Sequence, residues 1–200
     1  MRILAREAIV PILIIVFLAV AILIFNVYAL SWSLQWITDV LITLCVAAFV
    51  LILYFYRDPN RKITRDENVI LSPSDGTILQ IEKNTAAPNL KGKFKKIAIF
   101  LSLFDVHIQR MPVDGEILDL QHVKGRFLPA YNPMSGEKND QNIFIIKGKN
   151  ITLVVKQIAG ILVQKTVSWV KKDDKLKTGD KIGMIRFSSR VELFIPSDVY

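Results

Sequence analysis

The chain has 200 residues, with 26 Lys and Arg against 18 Asp and Glu, a formal net charge of +8. That length allows one ordinary domain plus a small element. The single cysteine, Cys45, excludes an intrachain disulfide. The first 56 residues carry only Arg2, Arg6, Glu7 and Asp39 as charges, so the whole excess of +8 falls on residues 57–200. A basic part beside an apolar part points to an anionic membrane surface, where each cation contributes about 1 kcal/mol. Nucleic acid is the rival partner, but the chain has no aromatic-basic platform and no recognition-helix pattern, so none is expected.

Ala8 to Leu30 is uncharged and interrupted only by Pro11 and Asn26, and Ile37 to Tyr56 carries one charge, Asp39. At about 1.5 Å per residue, each run reaches across a hydrocarbon core of about 30 Å. The first run is too long for a signal peptide, and a second follows at once. The short turn Ser31 to Trp36 lies between them, and Tyr28, Trp32 and Trp36 suit a membrane interface. Residues 1–56 are therefore expected to form a transmembrane helical hairpin, with spans at about 8–30 and 37–56. Arg2 and Arg6 precede it, Arg57, Arg61, Lys62 and Arg65 follow it, and the turn has no Lys or Arg. Positive flanks stay inside, so both ends and the domain 57–200 are expected on the cytoplasmic face of the cell membrane.

From Val69 onward the pattern changes to short strands. Val69 to Ser72, Thr77 to Glu82, Lys96 to Leu103, Gly115 to Val123, Asn142 to Lys147, Ile151 to Gln157, Ile161 to Val170, Lys181 to Phe187 and Val191 to Ile195 carry β-branched or alternating apolar residues. Turn chemistry separates many of them, as at Asp75-Gly76, Asp114-Gly115, Gly148-Lys149-Asn150 and Gly179-Asp180. No segment after Arg57 sustains a helical period. The sequence predicts an all-β or strongly β-rich domain. Asn132 to Gln141 is polar and turn-rich, fitting either a loop over a site or a surface connection.

Few residues offer chemistry. There are two histidines, His107 and His122, and with no cysteine near them they argue against a zinc site, so no metal is expected. His107 stands between an apolar strand and a Pro-x-Asp-Gly turn; His122 reads as structural. Asp75 occupies an Asp-Gly turn, where aspartate is common for conformational reasons alone. Near the end, Arg186-Phe187-Ser188-Ser189-Arg190-Val191-Glu192-Leu193-Phe194-Ile195-Pro196 reads as two short strands joined at a serine pair. On spacing alone the pair is a polar kink.

Five segments, taken together and in order, resemble one family. They are Tyr54-Phe55-Tyr56-Arg57-Asp58-Pro59-Asn60-Arg61; Ser72-Pro73-Ser74-Asp75-Gly76; Asp105-Val106-His107 with Arg110-Met111-Pro112-Val113-Asp114-Gly115; Lys124-Gly125-Arg126-Phe127; and Phe187 to Pro196. The last resembles the maturation site of the short form of phosphatidylserine decarboxylase, a pyruvoyl enzyme, and of archaetidylserine decarboxylase. Lys172 to Gly183 resembles the loop of lipoyl- and biotinyl-type barrels, but it has no modifiable lysine tip.

The resemblance implies a catalytic domain that includes a barrel-sandwich unit. It implies that Ser189 Oγ attacks the Ser188 carbonyl, that the chain is cut between 188 and 189, and that residue 189 becomes a covalent pyruvoyl cofactor. That ketone would form a Schiff base with the headgroup amine of a membrane phospholipid and accept electrons as CO₂ leaves. The carry-over covers Ser189, Asp75 and His107. In longer members the cleavage base is the second histidine of an Asp-x-His-x-x-His run, and here that position is Arg110. His107 is the expected general acid; Arg57 and Arg110, with Arg61 as a weaker candidate, are cations that suit a lipid phosphate or carboxylate. Partners implied are the anionic phospholipid, the membrane and the cleaved fragment 189–200 as a second subunit; a homo-oligomer is left open. The family has glycine where this chain has Ser188. Two alternatives therefore stay open: a processing-deficient member, and a membrane-tethered binding module without chemistry. Whether the lipid tails are acyl or isoprenoid also stays open.

Overall fold

The computed structural model describes residues 4–29, 35–63, 66, 68–161, 166–186 and 189–199. The chain divides into two units, 1–59 and 60–200.

In the first unit a short 3-10 turn, Arg6–Ala8, leads into helix α1, Ile9–Ala29; helix α2 spans Gln35–Phe55. Pro11 falls in the first turn of α1, where the missing N–H breaks no hydrogen bond. Each helix has 21 residues, about 31 Å at the usual rise, enough to cross a hydrocarbon core. Their outer faces expose Ile, Leu, Val and Phe side chains, Phe17 at 73%. Asn26, the interruption in the first run, donates from Nδ2 to Thr38 Oγ1 at 2.6 Å and so joins the two helices. At the base of the hairpin Ala5 N donates to Tyr56 O at 2.9 Å, and Leu4 bridges to Arg57.

The second unit is β-rich. Its strands are β1 (Thr77–Thr85), β2 (Phe94–Leu101), β3 (Ile108–Arg110), β4 (Gly115–Val123), β5 (Gln141–Gly148), β6 (Thr152–Ala159), β7 (Thr166–Ser168), β8 (Lys175–Leu176), β9 (Lys181–Ile185) and β10 (Ser189–Pro196), with a four-residue helix α3 (Ser135–Lys138). A seven-stranded antiparallel sheet has the order β1-β2-β10-β6-β5-β4-β8, and a three-stranded one the order β3-β9-β7. The expected strand at Val69 to Ser72 is a loop instead, in which Leu71 N donates to Pro112 O. Of the strand expected over Ile161 to Val170, only Thr166–Ser168 is strand among the described residues; 162–165 lie outside them. β9 and β10 belong to different sheets, so the chain crosses from one sheet to the other between Ile185 and Ser189, and Phe187 and Ser188 of the expected serine-pair kink lie outside the described residues.

Position in the chain and position in the sheet are inverted. β10, the last strand, lies inside the large sheet, between β2 and β6. Leu193 pairs with Ile97 on one side and Val155 on the other. Alternation sends Val191, Leu193 and Ile195 to one face, where they join Ile99, Leu101, Met111, Phe144, Val155, Ile182 and Ile185 in the core shared by both sheets. Phe194 points the other way, to a smaller cluster with Ala87, Phe94, Ile143 and Val154.

The Asp75-Gly76 turn launches β1 beside the end of β2. Gly76 has φ +131°, and a Cβ there would lie 2.2 Å from Phe100 O. Only glycine meets both constraints. Gly76→Ala should cost about 1–3 kcal/mol and lower the apparent melting temperature in detergent by several degrees. An unchanged melting curve would show that the turn relaxes freely.

Candidate active site

Register brings Ser189, the turn that carries His107 and the Asp75 turn to one end of the large sheet, whereas Arg110 lies on the small sheet and Arg57 in the first unit. Ser189 opens β10 and pairs with Leu101 of β2 and Ala159 of β6. It shares its face with Val191 and Leu193, the face turned to the small sheet. Ser189 is fully buried, and its Oγ has no hydrogen-bond partner among the described residues. A buried hydroxyl left without a partner costs about 1–3 kcal/mol, so such a group calls for an explanation. Ser188 and Phe187 lie outside the described residues.

Immediately after Leu101 the chain turns. Asp105 Oδ2 accepts from Ser102 N at 2.8 Å and from Ser102 Oγ at 2.7 Å, pinning the turn shut. His107 emerges from it fully buried, with Nδ1 2.9 Å from Asp105 O. A carbonyl only accepts, so Nδ1 carries the hydrogen, and in the neutral ring Nε2 is the nitrogen that can take a proton. Asp105 therefore orients His107 twice, through its side chain and through its carbonyl.

Asp75 stands two residues before Thr77, which pairs with Phe100, the neighbour of Leu101. Two strand spacings, about 10 Å, separate β1 from β10. The Asp75 carboxylate is half-exposed and ion-paired with Arg61, the weaker candidate for a lipid anion. Arg110 lies on β3 and donates from Nη1 to Gly179 O at 2.9 Å, while its N–H bonds Pro73 O. Arg57 belongs to the first unit; it donates to Tyr54 O at 2.9 Å and stacks 3.9 Å above the Tyr54 ring. Surface clefts of about 570 and 670 Å³ lie at the other ends of β6 and β10, and neither is lined by Ser189, His107 or Asp75.

Two polar arrangements next to Ser189 went unrecognised in the sequence. The first crosses the core. Gln109 Nε2 donates to His107 O at 2.9 Å, Gln157 Nε2 to Gln109 Oε1 at 2.7 Å, and Asn142 Nδ2 to Gln157 Oε1 at 3.0 Å. The carbonyl at one end sets the polarity of every amide along the chain. Asn142 Oδ1 is therefore an acceptor for His122 Nδ1, 2.8 Å away, and His122 Nε2 lies 3.2 Å from Asp140 Oδ2. His122, expected to be structural, is the outer end of this chain.

The second lies on the opposite face. Glu192 accepts from Arg190 at 2.7 Å and lies 3.6 Å from Lys156 Nζ; all three are buried. Lys156 also donates to Gly136 O in α3. A Cβ on Gly136 would lie 2.6 Å from Glu192 Oε1, so glycine lets the loop close on the cluster. The segment Asn132 to Gln141 is thus seated on the sheet, with Ser135 and Gly136 buried. The available signal was polar residues, Lys156-Gln157 and Arg190 with Glu192, inside strands otherwise apolar.

Burial lowers the Lys156 pKa below the ordinary 10.5, against the raising effect of Glu192. In the window below 10.5 the unfolded chain binds more protons, so this group's contribution to stability rises with pH.

The second unit is β-rich and has a buried serine at the head of an interior strand, and in sequence it follows two helices long and apolar enough to cross a membrane. Residues 48–200 match the family model for phosphatidylserine decarboxylase. The chain is 40% identical over 150 residues to a phosphatidylserine decarboxylase proenzyme of Carboxydothermus hydrogenoformans, covering 75% of this chain and 70% of that one. It is 35% identical over 181 residues to the proenzyme of Wolbachia pipientis, covering 87% and 76%, and 34% identical over 163 residues to that of Desulfotalea psychrophila, covering 80% and 75%. The chain belongs to the phosphatidylserine decarboxylase family.

Glu192→Gln should destabilise the protein by about 3–5 kcal/mol at neutral pH, because two cations stay buried without their counter-charge. Part of that loss should return as pH rises in the window below 10.5, because burial lowers the Lys156 pKa and Glu192 no longer raises it. Lys156→Met should be close to neutral, since Arg190 and Glu192 still pair. Equal losses in the two variants, measured by unfolding in detergent, would contradict this picture.

Proposed function

We propose that the chain is a membrane-anchored decarboxylase that converts phosphatidylserine to phosphatidylethanolamine and CO₂, using a pyruvoyl group it makes from Ser189. The observation that carries the reading is the buried Ser189 Oγ, without a partner among the described residues, heading a strand paired on both edges in a family member. An orphaned hydroxyl fits a residue to be consumed rather than kept.

Maturation uses the chain's own atoms. Ser189 Oγ adds to the Ser188 carbonyl carbon, the 188–189 peptide bond breaks, and the Oγ proton passes to the freed nitrogen, leaving an ester. Loss of the Ser189 Cα proton and of the Ser188 carboxylate leaves dehydroalanine, and water then releases ammonia. Once formed, the pyruvoyl ketone supplies the electron sink for decarboxylation. His107 holds the mobile proton at Nε2, because Asp105 O fixes the hydrogen on Nδ1, and it returns that proton to the product carbon. Asp75 assists maturation from the same end of the sheet, held by Arg61. Arg57 and Arg110 are the cations for the lipid phosphate and carboxylate.

The fragment 189–200 stays in place after the cut, held by β10. Both edges of β10 are paired and Val191, Leu193, Phe194 and Ile195 are buried. The flanking cations put the domain on the cytoplasmic face.

Ser189→Ala should remain one chain and be inactive. Wild type should show a blocked terminus at residue 189 by intact mass. Ser188→Gly should mature about 5- to 150-fold faster, since a side chain beside the attacked carbonyl costs about 1–3 kcal/mol where the backbone is strained. His107→Ala, once nicked, should lose at least about 10²-fold in CO₂ release. A wild type that never nicks would leave the processing-deficient reading standing. A reporter fused after Tyr200 in Ser189→Ala should behave as cytoplasmic; external behaviour would refute the orientation.

A further inference from the structure

The segment joining β4 to β5 has two contrasting sides. Its limbs are bonded to each other, Arg126 N to Lys138 O at 2.6 Å and Asp140 N to Arg126 O at 3.0 Å. Inside it, buried Asn139 accepts from Leu128 N at 2.9 Å and donates from Nδ2 to Leu128 O at 2.8 Å and to Ala159 O at 2.7 Å. Ala159 is the residue across from Ser189. The base of the loop is therefore fixed to the head of β10. Its tip is not covered: Tyr131 is 69% exposed and Met134 46%.

Two more apolar side chains stand out at the same end. Phe104, three residues beyond Leu101, is 64% exposed, and Ile161, two beyond Ala159, is 57% exposed. Leu101 and Ala159 flank Ser189, so β2 and β6 end about 10 Å apart around it. Lys124, Arg126 and Lys138 are exposed in the same loop, with Glu137 the one exposed acid between them. Apolar tips above a cationic neck match the layering of an anionic bilayer surface. The chain connection agrees: α2 ends at Phe55 and the second unit begins at Asn60, so four residues join it to a helix able to cross a bilayer.

We propose that the rim of Phe104, Tyr131, Met134 and Ile161 around the head of β10 docks on an anionic phospholipid bilayer. The rim inserts to headgroup depth and places the buried Ser189 end against the lipid layer. A substrate with both tails in the bilayer then reaches the site without being extracted. The substrate part of this statement rests on the function proposed above; the docking part does not.

The test uses the full chain in a Cys45→Ser background, reconstituted in phosphatidylglycerol–phosphatidylethanolamine vesicles. Single cysteines replace Phe104, Tyr131 and, as a control at the other end of β6, Asn150; each carries an environment-sensitive fluorophore. Labels at 104 and 131 should shift to the blue and be quenched by lipids brominated high on the acyl chain, while the label at 150 does neither. Water-like emission at 131 overturns the proposal. So does a blue shift without bromine quenching, which marks contact with a second copy or another protein. With Tyr131→Ser/Met134→Ser, the ratio of kcat/KM on bilayer phosphatidylserine to that on a soluble short-chain form should fall at least about ten-fold, the scale of removing large apolar contacts; an unchanged ratio also overturns it. Quenching in a chain that decarboxylates neither lipid would keep the docking face and refute the proposed activity.

Discussion

The structure depends on the double pairing of β10. A strand at the C-terminal end of the chain fills the gap between β2 and β6, and every residue from Ser189 to Ile195 is buried. Without it the large sheet would separate into β1-β2 and β6-β5-β4-β8, each with an open edge and an incomplete core. The same pairing fixes Ser189 between Leu101 and Ala159. Fold and candidate chemistry therefore share one constraint: the residue that heads the strand cannot move unless the strand does.

That constraint explains the polar groups around it. Ladder hydrogen bonds hold a strand along its edges, and side chains must hold its two faces. One face relies on apolar packing with the small sheet. The other carries Glu192 between Arg190 and Lys156, an arrangement that is costly to desolvate and costly to break. Such a cluster adds little net stability but penalises any register in which the charges miss one another. α3 closes over it through Gly136, and Asn139 of the same segment clamps Ala159. The loop thus braces the site strand from both its face and its flank.

Much of the architecture was legible in the sequence. The paired apolar runs give α1 and α2 to within a few residues, and the span Gly115 to Val123 has the same limits in the structure. These elements have strong periodicity or clear turn residues at their ends. β3 and β8 have three and two residues, too short for any period, and exist because β9 and β4 offer them edges. Val69 to Ser72 has strand-like residues but no strand partner. His107, Asp75 and Ser189 were legible only as parts of ordered motifs, since each residue type is ordinary where it stands. The Lys156–Glu192–Arg190 cluster and the amide chain from His107 to His122 depend on which strand lies beside which. Local sequence does not encode that order, because β10 pairs with β2 and β6 across long stretches of chain.

The central claim is that the proposed cut before Ser189 would leave β10 seated between β2 and β6. Hydrogen exchange of the amides of residues 190–195 tests it most directly, comparing nicked wild type with uncut Ser189→Ala in the same vesicles. The account predicts protection in the nicked protein within a few-fold of that in the uncut one. Exchange at the rate of an unstructured peptide, or loss of the fragment on native purification, would contradict it.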